Sequence, residues 1–145
     1  MSYPKEFSGF QVPSAEKWLD LEKRTWEPRP FGDYDVDIKI ECCGVCASDV
    51  HTARGDWGEM PYPFAVGHEV VGTVLRVGPK VTLTQVDQRV GVGAQVYSCL
   101  DCRHCKNNNE TYCKEQVNAY GAPYPGTDCT TQGGYSSHTR IHEYW

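Results

Sequence analysis

No stretch of this 145-residue sequence approaches the roughly 18 consecutive apolar residues of a membrane span, so no membrane partner is expected. The opening residues Met1-Ser2-Tyr3-Pro4-Lys5-Glu6-Phe7 hold no apolar signal-peptide core, and a cytoplasmic location is the expectation. A basic surplus is missing as well. Lysine and arginine total 14 against 19 acidic residues, a formal charge of −5, and phosphate backbones need a basic face. Nucleic acid is therefore not the expected partner. No run of like charge reads as a tail, and neither internal repeats nor low-complexity segments occur. Long amphipathic helices are not evident either.

Apolar and aromatic residues make up 39% and 12% of the chain, enough for one ordinary core in about one domain. Residues 1–33 carry few regular signals and several prolines. Lys17, Trp18, Leu19 and Leu21 could form a helical turn, which Pro28 and Pro30 would end. Asp35-Val36-Asp37-Ile38-Lys39-Ile40-Glu41 alternates cleanly and reads as a half-buried strand with its charged side chains turned outward. Gly67–Val77 reads as a more buried strand and Arg89–Val96 as a third, with Gly78-Pro79 turning between them. Gln132–Ile141 reads as a loop entering another strand. The expectation is a mostly β fold, a small barrel or sandwich of short antiparallel strands.

Eight cysteines are many for a cytosolic chain. In a reducing compartment, clustered thiols point to metal or catalysis rather than disulfides. A disulfide-stapled secreted domain would need a signal segment and a different spacing. The strongest motif is Cys99-x2-Cys102-x2-Cys105-x7-Cys113. Four thiolates so spaced can wrap one tetrahedral zinc, with Zn–S of about 2.3 Å. Asn107-Asn108-Asn109 suits the tight backbone of the longer loop. A shell of four cysteines leaves no open position, so the role is structural, and ion binding contributes folding free energy on the order of 10 kcal/mol. A thioredoxin-like pair would need a βαβ setting. A bacterial iron–sulfur pattern spaces its last cysteines more closely. A nucleic-acid zinc ribbon is disfavoured because Asp101, Glu110 and Glu115 balance Arg103, Lys106 and Lys114. His104 reads as a solvated neighbour.

A second, more open set follows from Gly44-Val45-Cys46-Ala47-Ser48-Asp49-Val50-His51 and Gly67-His68-Glu69-Val70-Val71-Gly72. Alone, a buried cysteine is usually an inert small hydrophobe, and a single histidine in a strand is usually a satisfied core residue. Both groups sit at strand boundaries, where side chains can converge. Cys46 and His68 would then offer a thiolate and an imidazole to one Zn2+, with Asp49 and Glu69 able to orient or join the shell.

Taken together and in this order, these motifs resemble the N-terminal GroES-like catalytic domain of zinc-dependent medium-chain alcohol dehydrogenases. Arg89-Val90-Gly91-Val92-Gly93 and Gln132-Gly133-Gly134-Tyr135 match too. The nearest branch is the cinnamyl alcohol dehydrogenase type, including NADP-dependent fungal enzymes acting on medium-chain and aromatic aldehydes. The resemblance runs from about Phe7 to Trp145. Residues 1–145 are accordingly read as one partial domain of that kind, with a structural-zinc lobe at about 96–116. The resemblance implies Cys46 and His68 as catalytic zinc ligands and Glu69 as a carboxylate able to take a vacant position. It implies that Ser48 bonds the substrate oxygen, that His51 passes its proton onward, and that Asp49 holds the His68 ring. Cys99, Cys102, Cys105 and Cys113 would hold structural zinc, and Trp57, Gln95 and Tyr120 would border the substrate pocket. Cys42, Cys43 and Cys129 have no partner and read as buried or surface thiols. The implied cofactors are Zn2+ and NADP(H), the implied partner is a small alcohol or aldehyde, and the full-length family implies a homodimer.

Two parts of that family pattern are not in these residues: the third catalytic ligand, a cysteine, and the nucleotide-binding Rossmann domain. Gly91-Val92-Gly93-Ala94-Gln95-Val96 begins like a dinucleotide fingerprint. It lacks the third glycine and runs into the cysteine cluster rather than a helix, so it reads as strand. The expectation is a truncated chain without dehydrogenase activity of its own, holding its catalytic zinc weakly and self-associating through exposed apolar surface. The competing reading is a metal-stabilised binding or interaction module without catalysis. Ser48, His51 and Glu69 argue against it, since a scaffold has no use for them.

Overall fold

In the computed structural model, which describes residues 3–145, the alternation around residue 38 becomes strand β3, Asp35–Cys43. Its β-branched residues suit a pleated, half-buried surface. β3 pairs antiparallel with β4 (Val70–Val77) on one side and with β8 (His138–His142) on the other. β5 (Arg89–Val92) adds to β4, giving the order β5-β4-β3-β8. Two short pairs complete the β structure: β1 (Phe7–Gln11) with β2 (Glu22–Trp26), and β6 (Gln95–Tyr97) with β7 (Val117–Asn118). Helix α1 covers Ala47–Arg54, and the single-turn helix α2 covers Arg103–Lys106. Among the described residues no helix is long and apolar enough to cross a membrane.

The β3–β4 register places the segments that carry Cys46 and His68. Cys43 lies opposite Val70, so the C-terminal end of β3 adjoins the N-terminal end of β4. Cys46 follows the first end by three residues, and His68 precedes the second by two. Register shifts at Asp37/Ile38 and Ile40/Cys42 interrupt the β3–β4 pairing, as bulges do. Under the sheet, Val36, Ile38, Val74, Val92, Val96, Val117 and Ile141 form the main core. A second cluster of Val12, Ala53, Phe64 and Val66 backs α1.

The mostly β expectation holds, and four local expectations change. Asp35 and Asp37 do not face solvent: they are 4% and 0% exposed, because the guanidinium groups of Arg29 and Arg140 come to meet them. The expected strand 89–96 is two strands in different sheets, broken at Gly93-Ala94, so that Val92 and Val96 both reach the main core. Residues 1–33 contain β1 and β2, while the helical turn expected near Lys17–Leu21 shrinks to isolated turns at Ser14–Lys17 and Lys17–Asp20. Helix α1 was not foreseen. Its buried residues are Asp49, Thr52 and Ala53, which make no apolar stripe.

Candidate metal centres and an adjoining cavity

The four-cysteine lobe hangs between β6 and β7. Cys99 follows β6, Cys102 and Cys105 bracket and occupy α2, and Cys113 follows a 3-10 turn at Glu110–Tyr112. All four sulfurs lie within 4.8 Å of one another. Individual separations are 3.5 Å for Cys99–Cys113, 3.6 Å for Cys102–Cys105 and 4.0 Å for Cys99–Cys105. A tetrahedron with ~2.3 Å metal–sulfur bonds has edges of about 3.8 Å, whereas a disulfide needs about 2.05 Å. The donors therefore fit one zinc, and all eight cysteines are free thiols. Backbone N–H groups of Cys102 and Glu115 donate to Cys99 Sγ and Cys113 Sγ at 3.3 and 3.4 Å, which suits thiolate charge. The Cys105 backbone N–H in turn holds the Cys102 thiol down to about 7. Asn108 sits at φ +56°, a left-handed conformation that asparagine tolerates. His104 is exposed, and its ring lies tilted against Tyr112 at 6.3 Å between centroids.

The second group joins Cys46, His68 and Glu69, whose ligand atoms again lie within 4.8 Å of one another. Asp49, in the first turn of α1, organises it. Its Oδ2 accepts from the Cys46 backbone N–H at 2.9 Å, and its Oδ1 accepts from Gly67 N–H and pairs with His68 Nδ1, each at 3.1 Å. That bond occupies Nδ1 and leaves Nε2 of His68 for a ligand role, the usual arrangement of a metal-binding histidine. Gly67 sits at φ +104° with the Tyr135 ring against its Cα, and a side chain on Gly44 would run into the Glu69 carboxylate. Thiolate, imidazole and carboxylate form a mixed donor set that zinc accepts, and among the described residues three protein donors converge, which would leave the shell open.

A cavity of about 400 Å3 opens beside this group, lined by Ser48, Thr52, Trp57, Met60, His68 and Tyr120 among others. Ser48 Oγ is buried there without a hydrogen-bond partner. Burial pushes the Tyr120 hydroxyl up to about 12, so it stays protonated at neutral pH. Trp57, 67% exposed, stands at the rim and stacks on His51 at 5.4 Å. His51 itself is exposed, with Nδ1 2.9 Å from Asp56 Oδ2, and is not among the lining residues. Gln95, expected in the pocket, faces the lobe instead: its amide donates to the carbonyls of Tyr97 and Glu110, both at 3.2 Å. Thr52, Met60 and Tyr135 were not anticipated. Thr52 lies one turn beyond Ser48 and would have been found had α1 been recognised. Nothing in the local sequence marks Met60. Cys42 is exposed, Cys43 and Cys129 are partly buried, and burial raises the Cys43 thiol.

Comparison with known proteins follows the same lines. The alcohol dehydrogenase GroES-like domain matches residues 32–145. NADP-dependent alcohol dehydrogenase 6 of Saccharomyces cerevisiae is 51% identical over 146 residues, which cover 100% of this chain and 40% of that protein. CAD from Helicobacter pylori, solved in complex with NADP(H), superposes with a TM-score of 0.90 at 32% identity, over 95% of this chain and 40% of that one. A cinnamyl alcohol dehydrogenase from Sorghum bicolor gives 0.89 at 36% identity, over 96% of this chain and 39% of that one. The chain thus spans about two fifths of the length of these proteins.

Proposed function

The chain belongs to the alcohol dehydrogenase GroES-like domain family, and on that premise we propose that it is the zinc-binding catalytic portion of an NADP-dependent alcohol dehydrogenase interconverting primary alcohols and aldehydes. The observation that carries the proposal is the convergence of Cys46, His68 and Glu69 beside a cavity holding an unpartnered serine hydroxyl. A zinc ion held there would polarise a substrate oxygen as a Lewis acid and lower the pKa of an alcohol proton. Asp49 fixes the His68 tautomer and ring orientation for that task. Ser48 has one buried hydroxyl and nothing to bond, so an alcohol or carbonyl oxygen entering the cavity would complete it. His51, one turn along α1, exposed and paired with Asp56, would receive a proton on the solvent side. Tyr120 and Trp57 offer aromatic walls, which suits aromatic or medium-chain aliphatic substrates.

The proposal includes NADP(H) as co-substrate, supported by relatives named for it, together with a cytoplasmic location and a homodimer for the whole protein. The described residues contain no dinucleotide fingerprint, so the proposal gives them the metal and substrate contacts and no alcohol oxidation by themselves. Exposed side chains such as Phe10, Leu19 and Leu83 favour self-association of the isolated chain.

Metal counting tests the proposal. With free zinc in excess, the chain is expected to bind about two equivalents by elemental analysis, one held tightly in the four-cysteine set and one weakly in the open set. His68→Ala should lose the second equivalent and keep the first, and Cys105→Ser should do the reverse. A wild-type chain that takes up no second equivalent even at saturating free zinc, or a His68→Ala variant that keeps both, removes the open site and the proposal with it.

A further inference from the structure

A carboxylate has about four lone-pair directions, and Asp49 fills all of them from three places in the chain. Oδ1 takes Gly67 N–H and His68 Nδ1, while Oδ2 takes the Cys46 N–H and, from 86 residues away, the Tyr135 hydroxyl at 3.2 Å. Asp49 is 2% exposed, so water has little access to replace a missing donor. Three of these donors belong to the two metal-binding segments. The fourth comes from an element that supplies no ligand.

Tyr135 is built to hold its place. Its N–H donates to Val66 O at 3.0 Å, its carbonyl accepts from Phe10 N–H at 2.9 Å, and the preceding Gly134 N–H donates to Gly67 O at 2.8 Å. Its ring lies so close to Gly67 that a Cβ there would come within 2.8 Å of Cδ1. The hydroxyl thus reaches Asp49 from a backbone stitched to the residues just before His68. Burial, followed by the Asp49 charge, raises its pKa, and the phenol remains a donor. Tyr120 also approaches His68 Nδ1, at 3.4 Å, and lies near enough to Asp49 for the carboxylate to help raise its pKa, but the Tyr135 hydroxyl is the one that meets Oδ2 at hydrogen-bond distance.

We propose that Tyr135 is a positioning residue for the Cys46–His68 metal site: its hydroxyl fixes the rotation of the Asp49 carboxylate, and through it the orientation and basicity with which His68 takes a divalent cation. The inference rests on the metal-site reading above. Groups that orient a metal-binding histidine from behind typically change metal affinity by 10–100-fold when lost. Tyr135 acts one bond farther out, and the lower end of that range applies.

The test uses the full 145-residue chain with zinc in the four-cysteine lobe and Co2+ titrated into the second site. Binding is followed by the thiolate-to-cobalt absorption that Cys46 provides. Tyr135→Phe, which keeps the ring packing, is expected to weaken Co2+ about tenfold, with the zinc content of the lobe unchanged and the thermal midpoint lowered by only a few degrees. In an Asp49→Asn background the same substitution is expected to have no further effect. Full affinity in Tyr135→Phe, or an equal loss when Asp49 is already changed, overturns the assignment while the metal site stands. A wild-type chain that takes no Co2+ beside the filled lobe overturns the metal site and this assignment together.

Discussion

Asp37 shows how much a single side chain can carry. It is fully buried, and Arg140 grips it with Nε on Oδ1 at 2.7 Å and Nη2 on Oδ2 at 3.0 Å. The Tyr3 hydroxyl joins the same carboxylate, and the ring of Phe31 lies under the Arg140 guanidinium at 4.9 Å. Removing one partner of a buried pair strands the other charge, which costs roughly 3–5 kcal/mol. Asp37→Ala should therefore destabilise the zinc-loaded chain by about that much in urea unfolding. Asp33→Ala, which breaks the exposed Lys80–Asp33 pair, should cost about 1 kcal/mol or less. Equal effects would show that Arg140 finds water when Asp37 is gone. The alternation of residues 35–41 gave the strand but placed Asp37 on the wet face. Periodicity reports the spacing of side chains along one strand, and the partner that buries Asp37 lies 103 residues away.

At the scale of elements, β8 is an edge strand held partly by two histidines. His138 stacks on Phe7 at 5.2 Å and His142 on Tyr34 at 5.4 Å. Burial pushes both rings below the ordinary value of 6.5, so the fold favours their neutral forms. The unfolded chain then binds more protons over the interval beneath 6.5, and stability must fall as pH drops through it, levelling once the folded rings also protonate. The thermal midpoint should decline from pH 7 to 5, and a His138→Gln/His142→Gln variant should decline less. An equally steep fall in that variant would put the acid sensitivity elsewhere. Elements were legible where one face alternates, as in β3 and β4. They were hidden where local pattern carries little, as in α1, which buries a carboxylate, a threonine and an alanine. The segment 89–96 looked continuous because its residues all favour strands, yet Gly93 lets the chain leave one sheet for another.

For the molecule as a whole, stability is divided between an apolar core and a lobe that has none. The sheet rests on valines and isoleucines, whereas between Ser98 and Gln116 the buried residues are Ser98, Cys105 and Cys113 alone. The cysteine spacing announced this lobe plainly, since four thiolates at such intervals need only local chain to meet. The open site was legible as ligands but not as a frame, because Tyr135 reaches Asp49 through tertiary structure. With little apolar surface to bury, the lobe would be ordered by an ion in the proposed four-cysteine site, whose binding, on the order of 10 kcal/mol, is comparable to the total stability of a small domain. Unfolding on metal loss should stop at the base of the lobe, where the Tyr97–Val117 pairing and buried Val96 and Val117 tie β6 and β7 into the main core. Exhaustive chelation is thus expected to open residues 99–115 to protease, with first cuts at Arg103, Lys106 or Lys114, while most of the sheet's circular dichroism persists. Cys105→Ser should reproduce that pattern without chelator. An apo chain that resists cleavage there would mean that hydrogen bonds such as Gln95 to Glu110 hold the lobe unaided, and a chain that unfolds throughout would mean that core and lobe form one cooperative unit.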